Sequence, residues 1–297
     1  MVPSISFTPL RPGFAAEAHG IDLRKRPTSD VVAEIDAAMD TYGVLVVRAQ
    51  PLTEDEQIEF TRAFGPLDVG LGRIYAGRRP LRLKYAELAD LSNVDADGNV
   101  VASDSRRIVA NLANQLWHSD SSFQKPPARY SMLHAVVVPQ KGGNTEYADA
   151  RAAYDALDPE LKERIEGLSA EHSALYSRFV LGDTDYTDEQ RAALPPVQWP
   201  IVRTHPSGRK LLFIGAHTSH VIGMNVAEGR LLLADLLEHT TQRQFVYAHE
   251  WQAGDLVIWD NRAILHRGRP YNLGERRELR RSTTEDTSNE LGAQAAS

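Results

Sequence analysis

From Arg129 onward the chain is cut by glycine and proline turns into short runs of β-branched and aromatic residues, and that cadence restricts the fold more than any other property of the sequence. Strands are expected over 129–138, 168–177, 198–205, 210–216, 245–251, 256–259, 263–267 and 278–284. Pro206-Ser207-Gly208 and Gly254-Asp255 turn the chain between neighbours. Helical periodicity places helices among them, over 149–157, 159–166, 187–194 and 226–240. Many short strands with inserted helices favour a mainly β, α+β architecture of jelly-roll type over an alternating βαβ fold.

The first part of the chain reads helix, strand, helix. Val32, Ile35, Met39 and Tyr42 share one helical face, with Ser29 or Asp30 as cap and Gly43 as stop. A buried strand over 43–48 follows, and Thr53-Glu54-Asp55-Glu56 is a capping box opening a helix that ends near Gly65. Residues 67–108 are rich in Gly, Arg and Asp, with a hairpin signal at Asp97-Gly98. Long loops in compact domains serve as lids or binding elements, and a lid is expected here. One catalytic domain is expected over 1–285, with 286–297 as a disordered tail.

Cysteine is absent, which removes disulfides, thiolate zinc sites and cysteine nucleophiles, so a bound metal must rest on His, Asp or Glu. A net charge of -7 repels phosphate backbones and argues against nucleic acid or an anionic membrane as partner. Any anion site must then be built locally. The opening has no charged segment followed by an apolar one, and no run approaches the roughly 18 apolar residues of a membrane span. A soluble, cytoplasmic protein is the expectation.

Chemistry concentrates in a few places. Trp117-His118-Ser119-Asp120 holds a His-x-Asp pair, which in extended backbone projects imidazole and carboxylate to one side. Alone, such a pair is a common coincidence. The run from Trp259 to Arg267 sets His266 inside an apolar strand, where an imidazole needs a partner, be it a metal or a core carbonyl. Two histidines and one carboxylate form the facial triad of non-haem Fe(II) oxygenases, which keeps positions open for co-substrate and dioxygen. Zinc fits the same three ligands, so a zinc hydrolase stays open at this point. Near the C-terminus, strand alternation puts Arg277, Leu279 and Arg281 on one face and Glu278 and Arg280 on the other. Two inward guanidinium groups suit two carboxylates bound side by side, although a solvated basic strand edge has the same pattern. Gly142-Gly143-Asn144-Thr145 is a glycine turn entering a strand, with a hydroxyl available to a ligand carboxylate.

With these residues in hand, the chain resembles the taurine dioxygenase family of Fe(II)/2-oxoglutarate oxygenases. The likeness runs from about Ile5 to Thr284 and includes KYAELADLSNV, NQLWHSDSSFQ, GGNTEYADARAAYDAL, GRKLLFIGAHTSHV, GDLVIWDNRAILHRGRPY and RRELRRSTT. It implies a double-stranded β-helix, the cupin-like jelly roll, with iron on His118, Asp120 and His266 as the catalytic centre. It further implies that Arg277, helped by Thr145, binds the distal carboxylate of 2-oxoglutarate, and that Arg281 meets the acidic group of the primary substrate. His217 and Lys84 are expected as further substrate contacts, Lys84 from an early loop over the pocket. The plainer alternatives are a loop His217 bonded to backbone and a solvated Lys84. The implied reaction uses O2, with ascorbate keeping the iron ferrous, to hydroxylate the carbon beside the ether oxygen of an aryloxyacetate. A phenol, glyoxylate, succinate and CO2 result. Taurine, an alkyl sulfate or a phenoxypropionate are the alternative substrates, and a homo-oligomer is expected.

Overall fold

The computed structural model describes residues 5–70 and 82–288. The chain opens with a hairpin, β1 (Ser6–Arg11) and β2 (Phe14–His19), followed by α1 (Ser29–Tyr42), β3 (Val44–Val47) and α2 (Glu54–Arg62). Next come β4 (Ala89–Asp90), α3 (Arg106–Asn111), a 3-10 turn at Leu112–Gln115 and the long β5 (Ala128–Val137). The middle of the chain holds β6 (Thr145–Asp149), α4 (Ala150–Asp155), α5 (Pro159–Ile165), β7 (Ser169–His172), α6 (Tyr176–Val180) and α7 (Asp188–Ala193). It continues through β8 (Val197–Pro200), β9 (Val202–Thr204), β10 (Lys210–Leu212), β11 (Thr218–Val221) and α8 (Val226–Thr240). A second 3-10 turn, Arg243–Phe245, leads into β12 (Val246–His249), β13 (Leu256–Asp260), β14 (Ile264–Gly268) and β15 (Glu278–Glu285).

A seven-stranded sheet, ordered β1-β2-β3-β13-β5-β15-β4, faces the sheet β12-β6-β14, and together they form the double-stranded β-helix. β3 and β13 are buried at every position, which is why β3, and β13 as far as Trp259, read as apolar runs rather than as alternation. Val46, Leu133, Val257, Trp259 and Leu279 point toward Tyr147 and Ile264 of the facing sheet. Leu45, Met132, Leu256 and Ile258 point the other way, onto Ile35 and Met39 of α1 and Phe60 of α2. Each large apolar side chain so buried stabilises by roughly 1.5–3 kcal/mol. A one-residue slip would exchange the two faces, so this double burial also sets register.

Several expectations meet the structure closely. Gly43 ends α1 in the left-handed region at φ 68°, and the Thr53–Glu56 capping box opens α2. The cap of α1 is Thr28 rather than Ser29 or Asp30. The Asp97-Gly98 turn is closed by a single Val94–Val100 bridge. Elsewhere the polar and irregular segments differ. The strand expected over 168–177 ends at His172 and gives way to α6, because Tyr176, Arg178 and Phe179 take up helical bonding. The strand over 198–205 breaks at buried Ile201 into β8 and β9, which belong to different sheets. β1 is mostly exposed and β2 is rich in alanine, so neither carries a strong strand signal.

Of the segment expected as a lid, 71–81 lies outside the described residues. The rest is anchored: Arg82 pairs with Asp90 at 2.8 Å and Glu278 at 3.0 Å, and β4 pairs with β15. Of the expected tail, 289–297 lies outside the described residues, and Asp286 is buried and donates its amide to Pro127 O at 2.8 Å. Among the described residues no helix is long and apolar enough to cross a membrane.

Gly43 also touches the strand that bears a candidate ligand. A Cβ there would lie 2.8 Å from both Arg151 Nη2 and Ile264 Cδ1. Gly43→Ala adds that clash to a left-handed φ and is expected to destabilise by about 1–3 kcal/mol, seen as a lower Tm in thermal unfolding.

Candidate active site

The two histidines meet through their backbones. His118 and His266 form an isolated antiparallel bridge, in which each amide donates to the other's carbonyl, at 3.0 and 2.8 Å. Directly opposed residues carry their side chains on one face, and the imidazole centroids lie 4.1 Å apart. Asp120 brings one carboxylate oxygen to 3.7 Å from His118 Nε2 and the other to 3.7 Å from His266 Nε2. All three residues are buried, and their donor atoms lie within 4.8 Å of one another. His118 Nδ1 donates to Leu116 O at 2.7 Å, so its Nε2 keeps a lone pair. His266 is held between the rings of Trp259 and Tyr147, at 4.6 and 6.2 Å.

A polar network fixes the carboxylate. Asn261, between β13 and β14, accepts from Trp259 Nε1 at 2.9 Å and from the Asp120 amide at 3.1 Å, while its own amide group donates to Ser131 Oγ at 2.9 Å. Ser131 donates to Asp120 at 2.7 Å. Arg281 Nη1 pairs with the other carboxylate oxygen at 2.5 Å. Burial pushes the Asp120 carboxyl up, but Arg281 and the two imidazoles outweigh it and hold the group at about 2. Burial also holds both imidazoles below the usual histidine range, which keeps them unprotonated near neutral pH. Two neutral imidazoles and one ionised carboxylate, converging in a buried corner, fit a divalent ion such as Fe(II).

Two cavities open from this corner, and His118 and Arg281 line both. The larger, about 750 Å3 and open to solvent, is walled by Thr145, Leu133, Trp259, His266, Tyr271 and Arg277. Arg277 donates to Leu91 O and Gly143 O, each at 3.3 Å, and lies over Tyr271 at 5.1 Å. Its Nε is buried without a partner, and no carboxylate among the described residues pairs with it. Thr145 Oγ1 accepts from Trp251 Nε1 at 3.0 Å, so its hydroxyl proton remains for another acceptor. The smaller cavity, about 380 Å3, is walled by Phe123, Arg178, Ala216 and His217.

The structure thus gathers His118, Asp120, His266, Thr145, Arg277, His217 and Arg281 around one corner. Lys84 is the exception, and the expectation for it is corrected. Its side chain is 62% exposed and pairs with Asp55 of α2 at 2.7 Å, so it is a surface ion pair. His220 lies on β11 beside Glu171, at 3.8 Å. Asn261, Ser131, Trp251 and Arg178 were not foreseen. A polar residue interrupting the run around Trp259 was the available signal for Asn261, whereas Arg178 stood just past a segment that reads as strand.

Three protein donors on one side of a metal leave the other positions to ligands arriving from the cavities, which on a double-stranded β-helix defines a non-haem iron oxygenase. The chain belongs to the taurine catabolism dioxygenase TauD, TfdA family, whose model matches residues 6–283. It is accordingly a 2-oxoglutarate-dependent dioxygenase that uses Fe(II). It is 63% identical to the alpha-ketoglutarate-dependent 2,4-dichlorophenoxyacetate dioxygenase of Cupriavidus pinatubonensis, over 95% of this chain and 98% of that protein. It is 37% identical to the (S)-phenoxypropionate/alpha-ketoglutarate-dioxygenase of Sphingobium herbicidovorans, over 93% of each. Among solved structures, AAD-2 in complex with Mn(II) and N-oxalylglycine superposes with a TM-score of 0.88 at 45% identity, covering 97% of this chain and 99% of that one.

Asn261 accepts from the Asp120 amide and donates to Ser131, which in turn donates to the Asp120 carboxylate, so Asn261→Ala is expected to weaken Fe(II) binding roughly 10- to 100-fold, the range for lost support behind a metal ligand. Metal titration against a competing chelator measures this, and unchanged affinity would remove the network from the metal's support.

Proposed function

We propose that this enzyme hydroxylates the methylene beside the ether oxygen of an aryloxyacetate such as 2,4-dichlorophenoxyacetate. One oxygen atom of O2 enters that carbon and the other enters succinate, as 2-oxoglutarate loses CO2. The hydroxylated product is a hemiacetal, which breaks into a phenol and glyoxylate. Fe(II), held by His118, Asp120 and His266, supplies the activation of dioxygen that no side chain here provides.

The observation that carries the reading is the unpaired Arg277 in the cavity shared with both imidazoles. Burying a cation without a counter-ion costs several kcal/mol. The distal carboxylate of 2-oxoglutarate would balance that charge through two parallel hydrogen bonds, and the Thr145 hydroxyl would donate a third. A hydrolase on the same three donors gives no reason for such a cation. Leu133, Trp259 and Tyr271 would give the keto acid an apolar wall. Arg281 and His217 stand on the substrate side, where the acid end must be fixed so that the methylene rather than the ring faces the metal. Support for the aryloxyacetate itself is the 63% identity to a dioxygenase of that substrate, against 37% to one of a phenoxypropionate.

Anaerobic addition of Fe(II) and then 2-oxoglutarate should produce a visible charge-transfer band, and 2,4-dichlorophenoxyacetate with air should then give the phenol and succinate in equal amounts. Turnover that persists without oxygen and iron would sink the reading. Arg277→Gln should raise the KM for 2-oxoglutarate roughly 10- to 100-fold, the worth of hydrogen bonds to a charged group, with a smaller effect on the KM for the aromatic acid.

A further inference from the structure

Thr145 faces the larger cavity together with Arg277, and what its hydroxyl can do there depends on the residue behind it. Thr145 stands opposite His249 on the β6–β12 ladder, and the chain beyond β12 brings the indole of Trp251 to it, with Nε1 3.0 Å from Oγ1. An indole nitrogen only donates, so the threonine oxygen must accept there and its single proton must turn away from the indole. A threonine without such a neighbour accepts or donates as its surroundings change. An ionised carboxylate can use only a donor.

We infer that Trp251 is a positioning residue for the co-substrate: by occupying a lone pair of Thr145 Oγ1 it presents the hydroxyl as a donor, and it thereby makes this end of the larger cavity selective for a carboxylate. This rests on the reading above in which Arg277 and Thr145 receive the distal carboxylate of 2-oxoglutarate. The indole is itself held firmly. His249 packs edge-on to it, with the ring centroids 4.5 Å apart, and His249 is tied through Nε2 to Asp255 Oδ2 at 3.1 Å and through Nδ1 to the Tyr247 hydroxyl at 3.1 Å. Asp255 is fully buried and closes the turn that carries Trp251, because its Oδ2 also accepts from the Gln252 amide at 2.8 Å and from Arg48 Nη1. The Gly254 amide fixes the same turn to β5 by donating to Ala135 O at 2.8 Å. Arg277 donates to the carbonyl of Gly143, two residues before Thr145, so guanidinium and hydroxyl reach the cavity from one short stretch of chain. Their tasks differ. The guanidinium supplies charge through several N–H groups and accepts an anion in many poses, whereas a single O–H with a fixed proton sets its direction.

The test is anaerobic titration of the Fe(II)-loaded enzyme with 2-oxoglutarate and with 2-oxovalerate, which keeps the keto acid end and lacks the distal carboxylate, followed by the charge-transfer band. Trp251→Phe keeps an aromatic ring in the turn and removes the N–H. It should weaken 2-oxoglutarate binding roughly 3- to 10-fold, the scale of one hydrogen bond, and leave the affinities for 2-oxovalerate and Fe(II) at their wild-type values. Thr145→Val should weaken 2-oxoglutarate at least as much, and adding Trp251→Phe to it should cost nothing further, the non-additivity of residues that act through one contact. Unchanged 2-oxoglutarate affinity in Trp251→Phe would overturn the inference, as would an equal loss for both keto acids, which would reduce Trp251 to packing. An undiminished effect of Trp251→Phe in the Thr145→Val background would overturn it too, since the tryptophan would then act by another route. If Thr145→Val itself binds 2-oxoglutarate like wild type, the reading of Thr145 as a carboxylate receptor falls first and this inference with it.

Discussion

The reciprocal hydrogen bonds between His118 and His266 are the constraint from which the rest of the site follows. Each is worth only about 1 kcal/mol to stability, and the sandwich would hold without them. Their effect is positional. They attach the loop after the 3-10 turn to β14, and β14 is laddered to β6 with His266 opposite Tyr147 and Gly268 opposite Thr145. One ladder therefore lines up both imidazoles, the stacked tyrosine and the Thr145 hydroxyl. Asp120 completes the set through Asn261, which is fixed by the same turn that starts β14.

The local charge at this corner favours anions in a protein of net charge -7. Arg178, Arg277 and Arg281 surround one ionised carboxylate, Asp120. Long-range repulsion between surface charges and an acidic ligand is screened within about 8–10 Å at ordinary ionic strength. Buried guanidinium groups at contact distance are screened far less, so the local field decides. Arg277 lines only the larger cavity and Arg178 only the smaller, so the positive charge is divided between the two rather than gathered at one anion site.

What was legible in the sequence was whatever the two-faced sheet makes periodic. β3 is wholly apolar, β13 is apolar up to Asp260, β5 and β15 are long, and α1, α2 and α8 carry clear faces and caps, so the jelly roll could be read ahead of the structure. The substrate side was less legible, for a physical reason. α6 is five residues long and its neighbours β7 and β11 are polar, so no period marks which way Arg178 or His217 points. Lys84 misled because a lone lysine in an irregular segment carries no information on its partner, and Asp55 lies in a different element. Asn261 and Ser131 act through contacts with each other and with Asp120, which no linear pattern encodes.

The last strand shows how packing protects the chemistry. Arg280 and Arg281 are adjacent yet have opposite tasks: Arg280 crosses to α2, donating to Gln57 Oε1 at 2.8 Å and to Leu52 O, whereas Arg281 reaches Asp120. Leu279, between the inward arginines, is buried in the core, and Glu278 on the outer face pairs with Arg82. Shifting β15 by one residue would drive Glu278 and Arg280 into that core and turn Leu279 out. An unpaired charge left in the interior costs several kcal/mol, so two of them would outweigh the gain from any alternative pairing with β5. The irregularity between Glu278 and Leu279 marks where this alternation is handed on to Arg277. The same electrostatic penalty that makes inward arginines expensive in an empty core thus favours the register in which Arg281 meets Asp120.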